Sequence, residues 1–304
     1  MDRTLARFLP SDLPAGRVVR CLGLVSDTHM PERCPTLPTA LFDILRGVDL
    51  VLHAGDVGEL WVLDRLSAIA PVVAVHGNDD TAEAQRELPY QQVVALAGRR
   101  VLLCHSHYPD EAEERASRRD DAWGPKLDRR AALGRRAGAA VVVFGHTHIP
   151  MAVRHRDVLL VNPGALASGS PLGRQRVRTV ALLFVRDDGN PIVVHVDIAA
   201  PERPFSPRVD WDAGYRVALD GINASILSPA LAAKWTRLEP HARALTPAQR
   251  RSLLLPLAYR CWNDERQVVT PADLLAAVRQ ETSIPEDRRR AIEAILRNDA
   301  CEKG

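Results

Sequence analysis

The chain has 304 residues and a formal net charge of +2 at pH 7, with 46% hydrophobic and 26% charged residues. This composition is typical of a globular protein, and a charge so near zero argues against bulk electrostatic binding to nucleic acid or membranes. The chain holds no apolar run of membrane-spanning length, and its first ten residues lack a signal-peptide core. We therefore expect a cytoplasmic protein with no membrane contact.

The first quarter of the chain alternates between apolar strand-like runs and helical patterns. We predict strands at 18–26, 48–53 and 71–76, with helices at 38–46 and 60–68 between them. Short apolar runs bounded by turn residues are typical of buried strands. Their alternation with helices indicates βαβ units and a parallel sheet.

From about residue 91 the pattern changes to strand pairs joined by short turns. The predicted pairs are 91–96 with 100–105, 152–155 with 158–161, and 179–185 with 192–196. Short connections between strands favour antiparallel hairpins. The sequence thus predicts a parallel half followed by an antiparallel half.

The composition changes again near residue 200. Three closely spaced prolines predict an extended linker at 201–210. Beyond it, Ser228, Thr246 and Thr270 each precede a proline, which is the pattern of an N-cap followed by proline at the first helical position. We predict four or five helices in 211–298. The predicted domains are a tail at 1–17, a main domain at 18–200, the linker at 201–210, and a helical extension at 211–304.

Five short polar motifs follow the apolar runs. They are Asp27-Thr-His29, Gly55-Asp56, Gly77-Asn78-Asp79-Asp80, His105, and Gly145-His146-Thr147-His148. Polar groups just past a strand end lie where α/β folds place their ligands, so we expect these side chains to meet at one edge of a sheet. Oxygen and imidazole ligands of this kind suit manganese, iron, zinc or nickel, and seven are enough for two ions.

In this order, the motifs resemble those of the calcineurin-like metallophosphoesterases, within them the small bacterial and archaeal phosphodiesterase branch. The family pattern is Asp-x-His, Gly-Asp, Gly-Asn, His and Gly-His-x-His, and the resemblance covers roughly residues 18–198, including Asn162-Pro163-Gly164. The resemblance implies an α/β fold, a two-sheet mixed β-sandwich flanked by helices. This chain adds an α-helical C-terminal region that the family core does not need.

The resemblance also implies two divalent metal ions, manganese first, with iron, zinc or nickel as alternatives. The implied ligands are Asp27, His29 and His148 for one ion, Asn78, His105 and His146 for the other, and Asp56 as the bridge. In this chemistry a metal-bridging hydroxide attacks the phosphorus of a phosphodiester. We therefore count Asp56 and Asn78 among the catalytic residues as well as among the ligands.

Two positions depart from the broad family. Many relatives carry His directly after Gly-Asn, where it protonates the leaving oxygen, but this chain has Asp79. An ionised Asp repels an anionic phosphate and acts as an acid only if burial or Asp80 raises its pKa. We therefore expect diesters, or monoesters with good leaving groups. Asp79 is nevertheless counted as a catalytic candidate, and so is His107, two residues past ligand His105; Ser106 replaces a usual Gly.

The substrate stays open between several alternatives. A phosphodiesterase of this kind acts either on nucleic acid, as a nuclease, or on small cyclic or dinucleotide phosphates. A protein phosphatase is a second class, against which Asp79 argues. A non-enzymatic interaction scaffold is a third, in which the C-terminal helices would bind a protein partner or a second copy of the chain.

The segment 115–136 is rich in arginine and bears on the choice of substrate. Its basic residues are interleaved with Asp and Glu, so it reads either as a solvated helix face or as a polyanion-binding cap. In the second case Trp123 would stack on a nucleic-acid base.

Overall fold

The computed structural model describes residues 3–10, 17–96 and 98–297. The described chain divides into two compact units, one holding residues up to Gly169 together with Gln175–Asn223, the other Ser170–Arg174 and the residues from Ala224 onward. The predicted tail at 1–17 and the end of the extension at 298–304 fall partly or wholly outside the described residues. The predicted domain boundaries therefore stay a prediction.

The secondary structure alternates as follows. The strands are β1 (Val18–Val25), β2 (Leu50–His53), β3 (Val72–Ala74), β4 (Gln91–Leu96), β5 (Arg99–Cys104), β6 (Val141–Phe144), β7 (Met151–His155), β8 (Val158–Asn162), β9 (Gly173–Gln175), β10 (Thr179–Arg186), β11 (Pro191–Asp197), β12 (Pro204–Phe205) and β13 (Asn223–Ser225). The helices are α1 (Arg3–Ala6), α2 (Thr39–Ile44), α3 (Trp61–Ser67), α4 (Ala82–Glu87), α5 (Glu111–Arg119), α6 (Trp123–Arg136), α7 (Tyr215–Ile222), α8 (Pro229–Arg243), α9 (Pro247–Trp262), α10 (Pro271–Gln280) and α11 (Glu286–Arg297).

The first unit contains two mixed sheets. One has the strand order β12-β11-β10-β1-β2-β3 and the other β4-β5-β6-β8-β7. In the first, β1, β2 and β3 are parallel, β10 pairs antiparallel with β1, and β11 pairs antiparallel with β10. In the second, β5, β6 and β8 are parallel, with β4 and β7 as antiparallel edges. The prediction of a parallel half followed by an antiparallel half is therefore wrong. The crossover through α6 makes β6 parallel to β5, so each sheet contains both parallel and antiparallel pairs.

The sheets pack face to face through alternating apolar residues. Leu22, Leu24 and Leu183 of the first sheet share one core with Leu103 and Val143 of the second. Helices α2 and α3 cover the outer face of the first sheet, and α6 covers that of the second. The fold is thus the two-sheet α/β sandwich flanked by helices that the motifs predicted.

The second unit is helical. Ser228, Thr246 and Thr270 each accept a hydrogen bond from the backbone three residues on, and a proline follows each cap, so the predicted helix starts of α8, α9 and α10 are confirmed. Its core includes the fully buried Leu231 and Val278. Within the described residues, no helix combines the length and apolarity needed to cross a membrane.

Candidate metal centre

Five strand ends carry the motif residues, and they come from both sheets. Asp27, Asp56 and Asn78 follow β1, β2 and β3 of the first sheet, whereas His105 and His146 follow β5 and β6 of the second. The expectation of a single sheet edge was therefore wrong. Each sheet has its own parallel centre, and the carboxyl ends of both centres point to the same end of the sandwich, so the side chains still meet.

The backbone at these positions is unusual. A positive φ is uncommon for residues other than glycine, and such residues cluster at functional sites. The motif residues with positive φ are Asp27 (54°), His29 (45°), Asp56 (52°), His146 (69°) and His148 (59°). Ser106 joins them at 75°, which explains physically why a glycine suits that position in relatives.

The first group of side chains contains Asp27, His29 and His148, all of them buried. His148 Nε2 lies 3.2 Å from Asp27 Oδ1 and 3.5 Å from His29 Nε2. His29 Nε2 also lies 3.7 Å from Asp56 Oδ2. One carboxylate and two imidazoles at these distances are a donor set suited to a divalent transition metal.

The second group is built around Asp56 and His105. His105 Nε2 lies 3.2 Å from Asp56 Oδ2, and His105 Nδ1 donates to the Ala54 carbonyl at 2.8 Å. Two buried atoms here, His105 Nε2 and Asn78 Oδ1, have no hydrogen-bond partner. Buried polar atoms are nearly always satisfied in native proteins, so these two unsatisfied atoms suit ligands of a cation, which would displace any proton from His105.

Asp56 lies between the two groups, close to both His29 and His105. Among the described residues, three sets of carboxylates and imidazoles approach closely enough to share a metal ion. They are Asp27, His29 and His148; Asp27, Asp56 and His105; and His29, Asp56 and Asp79. The predicted ligand His146 is in none of these sets, although its ring centre lies 5.1 Å from that of His105.

Neighbouring hydrogen bonds hold the carboxylates in place. Ser26 Oγ donates to Asp27 Oδ2 at 2.5 Å, and the Asp79 backbone amide donates to Asp56 Oδ1 at 2.8 Å. Asp80 accepts from the backbone amides of Gly58 and Gly77, each at 2.6 Å. Asp80 therefore braces the loop after β3 against the loop after β2.

The carboxylates and histidines of the site shift one another's pKa values. Burial by itself raises the pKa of Asp27 and Asp56, but neighbouring histidines outweigh it and hold Asp27 at about 2 and Asp56 well below its ordinary value. Burial by itself lowers the pKa of His105 and His148, but the same carboxylates outweigh it. They raise the pKa of His105 to about 10 and also raise the pKa of His148. Burial lowers the pKa of His29 to about 4. Both carboxylates are thus ionised at neutral pH.

Asp79 forms an ion pair that the sequence did not suggest. Its Oδ2 accepts from Arg33 Nη2 at 2.9 Å, and its Oδ1 accepts from Asn78 Nδ2 at 2.9 Å. Arg33 also approaches His29 Nδ1 at 3.4 Å. Asp79 is exposed, and both of its carboxylate oxygens accept hydrogen bonds from the side chains of Arg33 and Asn78. Sequence analysis missed Arg33, whose only signal is its place four residues after His29.

His107 lies beside the second group. Its ring centre is 5.5 Å from that of His105 and 6.3 Å from that of His146. Its Nδ1 is buried without a hydrogen-bond partner. Burial, followed by the neighbouring histidines, lowers its pKa to about 3, so it is neutral in the metal-free protein. Its catalytic role stays a prediction.

Glu114 is a second residue that sequence analysis missed. It lies on α5, with a side chain 12% exposed, and its Oε1 is 2.7 Å from His146 Nε2. Its Oε2 accepts from the Tyr108 backbone amide at 2.9 Å. A single Glu on a polar helix carries no sequence signal of its own, so the sequence of this segment pointed to its arginines and not to Glu114.

Part of the arginine-rich segment makes internal contacts, while Arg115, Arg118, Arg119, Arg135 and Arg136 are exposed. Arg129 donates to the Ser106 and His107 carbonyls at 2.7 and 2.9 Å, and Arg130 is buried over the Phe144 ring. Trp123 is only 5% exposed, so the prediction that it stacks on a base is wrong. It instead forms part of the core that joins α6 to the second sheet.

Ionised carboxylates and imidazoles gathered at the strand ends of a sandwich define a metal-binding hydrolytic centre. The family model of the calcineurin-like phosphoesterase superfamily domain matches residues 21–188, more than half of the sequence, and the chain belongs to this superfamily. The resemblance inferred from the motifs is thereby confirmed, and the chain is a metal-dependent phosphoesterase. Members of this family use divalent metals.

Named relatives are similar to the same part of the chain. A probable metallophosphoesterase of Methanocaldococcus jannaschii is 36% identical over 146 residues, 47% of this chain and 67% of the relative. Phosphodiesterase YfcE of Escherichia coli K12 is 29% identical over 147 residues, 45% of this chain and 69% of the relative. The crystal structure of zinc-complexed wild-type Vps29 from Entamoeba histolytica covers 59% of this chain and 99% of its own, at 22% identity and a TM-score of 0.43.

Proposed function

We propose that the chain is a phosphodiesterase that works with two divalent metal ions, manganese first. Asp27, His29 and His148 would hold one ion, and Asn78, His105 and His146 the other. The observation that carries the proposal is the position of Asp56, whose Oδ2 lies 3.7 Å from His29 Nε2 and 3.2 Å from His105 Nε2. A carboxylate between two imidazole groups is suited to bridge two ions.

Two bound ions supply an activated water as nucleophile and neutralise charge on the phosphoryl oxygens. The chain's own part is to fix the donors before substrate arrives. Asp27 and Asp56 stay ionised and are held by Ser26 and by the Asp79 amide. Asn78 offers a neutral oxygen, which leaves net positive charge in the loaded site to attract an anionic ester.

The ion pair between Arg33 and Asp79 supports a preference for diesters. Arg33 lies near His29 and brings a planar donor to the edge of the first group, where it can bind a phosphoryl oxygen. Asp79 orients it and adds an exposed negative charge. We propose that this charge disfavours the dianion of a monoester more than the single charge of a diester, and that Asp79 is not a proton donor.

The burial of Trp123 and the internal contacts of Arg129 and Arg130 favour small diesters, such as cyclic or dinucleotide phosphates, over long nucleic acids. Arg129 and Arg130 are committed to the protein interior, and Trp123 is buried. Trp123 and these two arginines are therefore not offered to a polynucleotide, although five other arginines of the segment are exposed. The nuclease, the protein phosphatase and the scaffold become outcomes of the test below.

The test compares hydrolysis of bis(p-nitrophenyl) phosphate and p-nitrophenyl phosphate, with manganese added, for the native chain and Asp56→Ala. Asp64→Ala is the matched control, since it removes an exposed carboxylate on α3. We expect preferential cleavage of the diester by the native chain and the control, and no cleavage by Asp56→Ala.

Each other outcome would favour a different function or overturn the proposed bridge. Preference for the monoester would contradict the assignment of Asp79 and favour a phosphatase. Cleavage of single-stranded DNA at a rate above that of dinucleotide diesters would favour a nuclease. Equal activity in Asp56→Ala and the native chain would overturn the proposed bridge, and inactivity of all variants with every divalent metal would favour a scaffold.

A further inference from the structure

Glu114 connects two loops that carry ligands of the same proposed ion. Through Oε1 it contacts His146 Nε2 at 2.7 Å, in the loop after β6. Through Oε2 it accepts from the Tyr108 amide at 2.9 Å, in the loop after β5 that begins with His105. Arg118, one turn further along α5, donates to Oε1 at 2.6 Å. The carboxylate is thus held by three donors.

The contact with His146 fixes which imidazole nitrogen is available. An ionised carboxylate only accepts hydrogen bonds, so the proton of this contact belongs to Nε2. The lone pair of the ring is then on Nδ1. A carboxylate that holds the outer nitrogen of a ligating histidine fixes its tautomer and orientation and makes the ligating nitrogen more basic.

We propose that Glu114 is a positioning residue that prepares His146 to bind the second metal ion through Nδ1. The inference rests on the proposed two-metal function. It assigns to α5 a part in metal binding. The ring is held from outside by Glu114, whereas His105 is held by the Ala54 carbonyl.

The contacts also predict which ion is affected. Asp27, His29 and His148 do not contact Glu114 among the described hydrogen bonds and ion pairs. Loss of the carboxylate should therefore weaken one of two ions and leave the other in place. Removal of an outer partner of a metal-ligating histidine typically costs tenfold to a hundredfold in metal affinity.

The test uses the full chain with manganese and needs no substrate. Isothermal titration gives the number and affinity of bound ions, and electron paramagnetic resonance separates a coupled manganese pair from a single ion. The variants are Glu114→Ala and Glu114→Gln. Glu113→Gln is the matched control, since Glu113 is an exposed residue of the same helix.

We expect the native chain and Glu113→Gln to bind two ions and give a coupled spectrum. Glu114→Ala should bind the second ion, the one held by His146, about tenfold to a hundredfold less tightly. At manganese concentrations that fill only the first site, it should give the signal of a single ion. Glu114→Gln keeps the shape and an acceptor oxygen but not the charge, so its loss should be smaller. A purely structural role would lower the melting temperature without metal and leave the coupled spectrum intact.

Two results would overturn the proposal. Native affinity for both ions in Glu114→Ala refutes the role of Glu114 and leaves the two-metal function standing. A native chain that binds fewer than two ions refutes both. If Glu114→Ala does not fold, the same titration of Glu114→Gln decides, with unchanged affinity as the refuting result.

Discussion

Replacement of Arg33 by alanine tests how the site would bind its substrate. The Arg33 side chain is only 12% exposed, and its guanidinium donates to Asp79 Oδ2 at 2.9 Å and lies 3.4 Å from His29 Nδ1. One hydrogen bond to a charged group contributes about 1.5–3 kcal/mol. Since about 1.4 kcal/mol is tenfold in rate, Arg33→Ala should lower kcat/KM for a diester by about 10- to 150-fold.

The effect on metal binding should have the opposite sign. Arg33 is a cation beside the proposed ligand His29, so its removal lessens repulsion and leaves manganese affinity equal or higher. Arg33→Lys keeps the charge but not the planar fork, and its loss of kcat/KM should be intermediate. Arg46→Ala is the control, since Arg46 is 63% exposed and pairs with Asp43.

The assay measures kcat and KM for bis(p-nitrophenyl) phosphate at saturating manganese, beside a manganese titration of each variant. Native kcat/KM in Arg33→Ala would refute the substrate role. Weakened manganese binding together with a matching loss of rate would show that Arg33 supports the metal site instead.

Two further predictions concern stability. Burial lowers the pKa of His195 to about 4, so between pH 6.5 and 4 the unfolded chain binds a proton that the folded chain excludes. His195 thus makes the free energy of unfolding fall by about 1.4 kcal/mol for each pH unit as pH drops through that window. Urea unfolding of His195→Gln should show a shallower fall. A fall equal to that of the native chain would contradict the reasoning. Thr246 caps α9 in a capping box with Gln249. Thr246→Ala should cost about 0.5–2 kcal/mol in the same assay, whereas Thr236→Ala, exposed on α8, should cost nothing, and equal effects would exclude the cap as the cause.

Short sequence patterns predicted the strands, the hairpin and the helix starts, which depend on neighbouring residues. The apolar run at 18–26 is β1 (Val18–Val25), and the hairpin predicted at 91–105 is β4 paired with β5. The cap at Thr270 starts α10. In each case a few adjacent residues determine the structure through burial, turn chemistry or capping.

Short sequence patterns did not predict the contacts between segments that lie far apart in the sequence. The parallel pairing of β5 with β6 depends on a crossover that contains α6, which no short window encodes. Arg33 meets Asp79 across 46 positions, and Glu114 meets His146 across 32. Trp123 is buried because α6 lies on the second sheet, whereas its charged neighbours in sequence suggested an exposed helix face.

The glycines of the motifs show how the sequence pattern encodes the site. A Cβ at Gly77 would overlap Asp56 Oδ1 and lie 2.6 Å from the Asp56 amide, and one at Gly55 would lie 2.7 Å from His105 Nδ1. A Cβ at Gly145 would overlap Ser26 Oγ and lie 2.9 Å from Asp27 Oδ2. Each glycine before a proposed ligand thus makes room for a ligand, or its support, from another motif.

Gly77→Ala turns this geometry into a test of the bridge. The added methyl must displace the Asp56 carboxylate or its backbone, so we expect about 1–3 kcal/mol of destabilisation and a loss of affinity for both manganese ions. Gly124→Ala is the control, since nothing lies within 4 Å of a Cβ at that helical position. Calorimetric unfolding without metal and manganese titration measure the two effects. A folded Gly77→Ala that binds two ions as tightly as the native chain would mean that Asp56 tolerates displacement, which a carboxylate shared by two ions does not.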